Sequence, residues 1–538
     1  MKTNADKTSN ADMVTISRAE YEALRNEVSR LTKINDWLTE QLRVGGSRKF
    51  GSSSEKASEE VVGQLSLLFD EAETYAHIEE VEASKETKVA EHTRTKRHTG
   101  SVLDIAPANL PVVVTEHELS EDERICPSCG STMVEIGTES RYTLEIIPAT
   151  VQVREDRYHT YRCEKCMNEL GDDGETHAKI VKPEQVPSLI PGGFASAAAV
   201  AWIMTQKFVM YSPLYRLEQE MKRQDIQLSR QTMSNWLIRC AEDWLTPVYN
   251  ELHARLLAND IIHADETELQ VLHEDGKPAQ SKSYMWLFRT GRYAPIQIVL
   301  YKYYPNRSQA NPKEFLQNFK GYLQTDGYSG YNAVADVTHV GCFAHLRRKF
   351  EDAVRALPKG KKTGAAVKGE AYCSKIFMLE ERLRDSSPEE RYTQRLAQEK
   401  PVLDEYLAWS EKIAAAQKSK LGIALTYLKN QWPSLTAYLQ DGRLEISNNR
   451  AERSIKPFVM GRKNFLFANT PRGAQSSAVI YSLIETAKEN GLDPYRYLKY
   501  ILETAPRLSR DDSDWAMAML PDRVPELCRV NTDASMCR

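Results

Sequence analysis

Three acids are the residues in this sequence best placed to do chemistry. Asp265 follows the apolar run Ile261-Ile-His-Ala, and Asp326 follows Gly321-Tyr-Leu-Gln-Thr. Glu452 stands in Ser447-Asn-Asn-Arg-Ala-Glu-Arg-Ser-Ile-Lys. Each Asp is expected at the end of a β-strand, and Glu452 on a helix capped by Ser447, with Asn448 one turn before it on the same face. Three carboxylates from separate elements are a hard-oxygen donor set suited to Mg²⁺ or Mn²⁺. Two such ions can activate a water or 3′-hydroxyl and stabilise the leaving oxygen of a phosphoryl displacement. Residues 443–472 carry seven Lys/Arg and two Glu, a setting that suits a polyanion. Glu266 and Glu268 read as solvent-facing or supporting acids. His345, in Cys342-Phe-Ala-His-Leu-Arg-Arg-Lys, could orient a phosphate or water, but Cys342 and His345 alone are too few for a zinc site.

The elements that must position these acids follow from hydrophobic period. Ile261–Asp265, Ser283–Arg289, Pro295–Tyr301, Gly321–Asp326 and His339–Phe343 read as five strands, and Ala344–Leu357 as a helix. In a ribonuclease-H-like order the fourth strand pairs with the first, which brings Asp265 and Asp326 to one site. Residues 255–357 form the first part of this core, 358–442 a charged helical insertion, and 443–470 the last catalytic helix. A helical piece at 471–505 closes with Gly491 as C′, Asp493 as cap and Pro494 at N1, before a tail at 506–538.

Upstream, Phe194–Met210 and Pro213–Arg223 read as helices. Ser229 caps a third, Arg230–Trp244, within a helix-turn-helix region at 190–250. Arg230, Gln231, Thr232 and Asn235 open that helix, where a recognition helix meets base edges. Cys126-x-x-Cys129 and Cys163-x-x-Cys166, 33 residues apart, fit a structural Zn²⁺ site with four thiolates in a zinc ribbon at 106–185. Val151–Arg154 is expected as one of its strands. Residues 14–44 repeat Tyr21, Leu24, Val28, Leu31, Asn35, Leu38 and Leu42 at alternating steps of three and four, a leucine-zipper-like coiled coil that would pair two copies. A linker at 45–105 is acidic, then basic.

Composition bounds the rest. At 538 residues the chain is too long for one ordinary domain. It has no apolar run long enough to span a bilayer and no export signal at its start, so a cytoplasmic, nucleoid-associated place is expected, without disulfides. The net charge of −4 would argue against nucleic acid if evenly spread. It is not: residues 59–82 hold eight acids and no Lys or Arg, and basic stretches lie at 85–98, 345–368 and 443–472.

The strings HADET, QTDGYSGY, CFAHLRRKF and SNNRAERSIKPFVMGRKNFLF resemble transposases of the insertion-sequence-66 family, and the likeness covers most of the chain. It implies a multidomain α/β protein with a ribonuclease-H-like mixed-sheet core, preceded by coiled coil, zinc ribbon and helix-turn-helix. It implies a DDE catalytic domain whose acids are Asp265, Asp326 and Glu452. The implied activity is binding of the element's terminal inverted repeats, cleavage at their 3′ ends and joining to target DNA, with two Mg²⁺ ions. Arg347, Arg348, Arg450, Arg453, Lys456, Arg462 and Lys463 are expected phosphate contacts, by type and place. The small reading frames that accompany such genes imply accessory proteins. Two other readings are a ribonuclease-H-like nuclease without strand transfer and a non-catalytic DNA-binding regulator.

Overall fold

The longest strand, β1 (Ile261–Gln270), is buried over almost its whole length. It pairs antiparallel with β2 (Lys282–Thr290), which pairs antiparallel with β3 (Val299–Tyr304). On its other side β1 pairs parallel with β4 (Gly321–Gln324), and β4 pairs parallel with β5 (Val337–Val340). The sheet therefore runs β3-β2-β1-β4-β5, and the fourth strand does lie beside the first. The first strand does not stop at Asp265. Antiparallel pairing with β2 carries it on to Gln270, so Asp265 is a mid-strand residue. The third strand begins at Val299 rather than Pro295.

This computed structural model describes residues 151–162, 180–181, 186–358, 363–510 and 512–530, all within the unit Ile147–Arg538. The coiled coil at 14–44, the linker at 45–105 and Cys126, Cys129, Cys163 and Cys166 lie outside the described residues. Tyr161–Arg162 pairs antiparallel with Ile180–Val181, while Val151–Arg154, expected as a strand, has no strand pairing among the described residues. Among the described residues no helix is long and apolar enough to cross a membrane.

Helices α1 (Ala197–Phe208), α2 (Leu214–Arg223) and α3 (Arg230–Cys240) precede the sheet. The Ser229 hydroxyl accepts the Thr232 amide at 3.1 Å, the expected cap. Met233, Trp236, Leu237 and Cys240 are buried at helical spacing, leaving Arg230, Gln231 and Asn235 exposed. The helix does not end at Trp244: a π turn over Ala241–Leu245 passes the chain straight into α4 (Thr246–Leu257). These helices share one apolar core with the sheet.

The edge strand β3 would expose unpaired amides. Helix α12 (Pro471–Glu489) covers it with hydroxyls one turn apart: Ser482 Oγ accepts Tyr301 N at 2.7 Å and Thr486 Oγ1 accepts Val299 N at 3.0 Å. Gly491 (φ +69°) ends α12 in the left-handed conformation, and the Asp493 side chain caps α13 (Pro494–Leu508), as expected.

A second apolar core lies under the insertion. There α6 (Phe343–Arg355) packs with α7 (Ala365–Arg382), α9 (Lys400–Glu411) and α10 (Lys420–Thr436). The short helix α5 (Ala310–Phe315) lies between β3 and β4 in sequence, and α8 (Pro388–Gln394) between α7 and α9. The insertion carries a buried ion cluster. Fully buried Arg395 donates to both Glu380 oxygens, to Tyr438 O at 3.1 Å and to Leu444 O at 2.9 Å. The Tyr438 hydroxyl donates to Glu399 at 2.6 Å. Burial, then the charge of Glu380, pushes the Glu399 carboxyl up to about 8. The folded state thus holds this proton more tightly than the unfolded chain, whose carboxyl titrates near its ordinary value. Stability from this group is full below about pH 4.5 and is lost as pH rises toward about 8. Glu399→Gln is expected to flatten that decline, read as urea midpoints at mildly acidic and mildly basic pH; an unchanged slope would place the titration elsewhere.

Candidate active site

The strand register brings the first two acids level. β1 and β4 pair as Ile261↔Tyr322, Ile262↔Leu323 and His263↔Gln324. Carried two residues further, that register sets Asp326 beside Asp265, just where β4 has ended and the edge of β1 is open. Parallel neighbours lie ~4.8 Å apart. The turn after Asp326 is tight: Tyr328 N donates to Asp326 Oδ1 at 2.9 Å, and Gly327 sits at φ +92°, a backbone that favours glycine.

Glu452 reaches the same place from α11 (Asn449–Phe465), which lies on β1. The N-cap is Asn448 rather than Ser447, and its side chain caps nothing. It is used across the sheet instead. Asn448 Nδ2 donates to Ala264 O at 2.8 Å, its Oδ1 lies 3.2 Å from His263 Nδ1, and its amide donates to Cys342 Sγ at 3.2 Å. Its carbonyl accepts the Glu452 amide at 3.1 Å. One residue thus ties the strand position before Asp265 to the first turn of the helix that carries Glu452. Further along, Arg289 of β2 donates to Ser454 Oγ and to Glu489 at 2.9 Å, fixing the same helix.

The electrostatics show that these acids feel one another. Burial pushes the Asp265 carboxyl well above the usual carboxylate range, and the charges of Glu266, Asp326 and Glu452 add to it. Its one opposing contact is the Glu266 amide at 2.8 Å. Glu266 is buried as well, pushed up to about 7 by burial and then by Asp326. Arg307 (2.8 Å to Nε) and the Tyr331 hydroxyl hold it, so it is a supporting acid rather than a solvent-facing one. Glu268 instead pairs with Lys282 at 2.6 Å.

Buried polar atoms without partners mark the remaining gap. Glu452 Oε1 and His345 Nδ1 are both buried and make no hydrogen bond among the described residues, although 3.7 Å apart. Donor atoms of Cys342, His345 and Glu452 lie within 4.8 Å of one another. Burial pushes the Cys342 thiol up to about 12, and its sulfur accepts the Asn448 amide at 3.2 Å. An orphaned carboxylate oxygen among mutually repelling carboxylates is the donor set a hard divalent cation fits.

The expected cationic contacts are placed unevenly. Arg453 and Lys463 are exposed and Arg348 half-buried, and none of these three has an ion pair among the described residues. Arg450 is largely buried and held by Glu445 at 2.7 Å. Arg347 pairs with Glu351 at 3.0 Å, and Arg462 lies 3.3 Å from Thr267 Oγ1. Lys456 is half-buried on the same helix. On α3, Gln231 donates to Asn235 at 3.0 Å, Thr232 is half-buried, and Arg230 lies over the Tyr215 ring. The roles of Asn448, Cys342 and Arg307 escape sequence reading, since each acts on a residue distant in the chain.

Acids from β1, from the turn after β4 and from α11, with cationic side chains nearby, form a site that could hold a divalent cation beside a polyanion. Comparison with known proteins is more specific. The family model described as "Transposase IS66 family" matches residues 192–476. That of the "zinc-finger binding domain of transposase IS66" matches 123–167, a span holding all four paired cysteines. The "IS66 C-terminal element" matches 482–521, and "Transposase C of IS166 homeodomain" matches 37–115. The chain belongs to the IS66 transposase family. Two similar proteins of Sinorhizobium fredii are named as uncharacterized. One, y4jD, is 30% identical over 431 residues (76% of this chain, 80% of that protein). The other, y4hP, is 28% identical over 479 residues (83% and 84%).

Asn448→Ala is expected to leave Ala264 O and His263 without this partner, costing ~1–3 kcal/mol of stability. Chemical unfolding checks this; a midpoint equal to that of the unsubstituted protein would show that Asn448 does not tie α11 to β1.

Proposed function

We propose that this transposase-family chain cleaves the 3′ ends of its element and joins them to target DNA, with Asp265, Asp326 and Glu452 as catalytic acids. The observation that carries the reading is the register that sets Asp326 beside Asp265, with Glu452 brought in on α11 and its Oε1 without a hydrogen-bond partner among the described residues. The strand order, three antiparallel strands followed by two parallel ones with a helix bearing the third acid, supports a ribonuclease-H-like core.

Asp265, Asp326 and Glu452 would hold divalent cations, Mg²⁺ or Mn²⁺, two per site. So held, the metal would supply charge stabilisation at the scissile phosphate and a more acidic attacking hydroxyl. The protein's own groups do the rest. Arg307 neutralises Glu266, which keeps one negative charge away from the incoming phosphate. His345, lowered from its ordinary range by burial, is a neutral imidazole able to orient a water or a phosphate oxygen. Arg347, Arg348, Arg450, Arg453, Lys456, Arg462 and Lys463 would contact the phosphate backbone. The face of α3 carrying Arg230, Gln231, Thr232 and Asn235 would meet the terminal repeats. Cys126, Cys129, Cys163 and Cys166 would bind a structural Zn²⁺, the coiled coil would pair two chains, and small accessory proteins would complete the assembly.

Asp326→Asn, Asp265→Asn and Glu452→Gln are each expected to reduce cleavage and joining roughly a thousandfold or more, with circular dichroism unchanged. Strand joining by Asp326→Asn would refute the mechanism. Cleavage without joining, on marked element ends with a target, would favour the nuclease reading. Cys126→Ser should lower the zinc content per chain; an unchanged content would remove Cys126 from the zinc site.

A further inference from the structure

We propose that a cavity beside Asp326 is a subsite for one unpaired nucleotide of the DNA strand held at the acids. This rests on reading those acids as a phosphoryl-transfer site.

The cavity, of about 290 Å³, opens between α6 and the insertion helix α10. Its walls include Lys349 from α6 and Ile423, Tyr427, Asn430 and Gln431 from α10. The spacing of those four places them on one helical face. That face adjoins the active site: the Tyr427 hydroxyl donates to Asp326 O at 3.0 Å. A Cβ on Gly327 would lie 3.2 Å from the Tyr427 hydroxyl and 3.5 Å from Gln431 Cδ, so the turn bearing Asp326 presses directly on this wall. Lys349 Nζ sits 4.7 Å from the Tyr427 ring centre and within the field of Asp326.

The chemistry of the walls selects the occupant. Tyr427 and the exposed Ile423 (44%) offer flat apolar surface to a base. Asn430 and Gln431 each present a donor and an acceptor side by side, the pattern that reads a base edge. Lys349 supplies a cation for the adjoining phosphate. A base within a duplex keeps its faces stacked and its pairing edge occupied, so only an unpaired nucleotide can enter a recess. The insertion would thus hold DNA where the strand leaves the acids.

The test uses the full chain and a duplex carrying the element end, with 2-aminopurine placed singly at each of about three nucleotides on either side of the scissile phosphate. Binding is followed in Ca²⁺. Fluorescence should rise several-fold at one position as that base leaves the stack. The Asn430→Ala/Gln431→Ala variant should abolish the rise and weaken binding about tenfold. Lys349→Ala should lower the salt dependence of binding by about one ion. A rise that persists in the double variant, no rise at any position, or variants that change only the assembly state would overturn the subsite. Asp326→Asn separates the two claims. It should keep the rise while losing cleavage, and its cleaving would overturn the acid-site reading instead.

Discussion

Repulsion among closely set carboxylates is the constraint on which the rest of this structure turns. Asp265 and Glu266 are buried, Asp326 and Glu452 half-buried; burial raises the Asp265 carboxyl, and the charges of the other three raise it further. Such a cluster does not hold itself together. The strand register fixes Asp265 and Asp326, and Arg307 offsets Glu266. Helix α11 is pinned at its start by Asn448 and further on by Arg289. Much of the fold acts against the acids' tendency to separate, an arrangement that a divalent cation would relieve under the proposed function.

The insertion belongs to that support. Its buried Arg395–Glu380 pair grips the carbonyls of Tyr438 and Leu444, in the segment that leads into α11. A buried pair of this kind is weak evidence for stability, because desolvation opposes its attraction. Its geometric effect is clearer: Arg395 spends its donors on the backbone that delivers Glu452. The insertion thus connects the third acid to α10, whose Tyr427 bonds the backbone of the second.

Local signals in the sequence were legible where the physics is local. Ser229, Asp493 and Gly491 terminate helices as their residue types require, and the pairing of the fourth strand with the first follows from the run of strand patterns. Asp326 was recognisable because a short apolar strand stops just before it. What failed was governed by contacts far along the chain. Asp265 looks like a strand end until β2 extends β1 past it. Ser447 looks like a cap until Asn448 takes the position, drawn by the Cys342 thiol 106 residues away. Sequence alone leaves Glu266 either solvent-facing or supporting, because Arg307 and Tyr331, its partners, lie 41 and 65 residues downstream.

Acids arranged for a divalent metal would destabilise the metal-free fold. The most direct test is thermal unfolding of the zinc-loaded protein and of Asp326→Asn, each with and without millimolar Mn²⁺. Asparagine keeps the bond from the Tyr328 amide and removes one charge. Without Mn²⁺ the variant should therefore unfold at a higher temperature. With Mn²⁺ the unsubstituted protein should gain stability through binding to the folded state, and the variant should gain little. A variant less stable than the unsubstituted protein without metal, together with no response of either to Mn²⁺, would contradict the account.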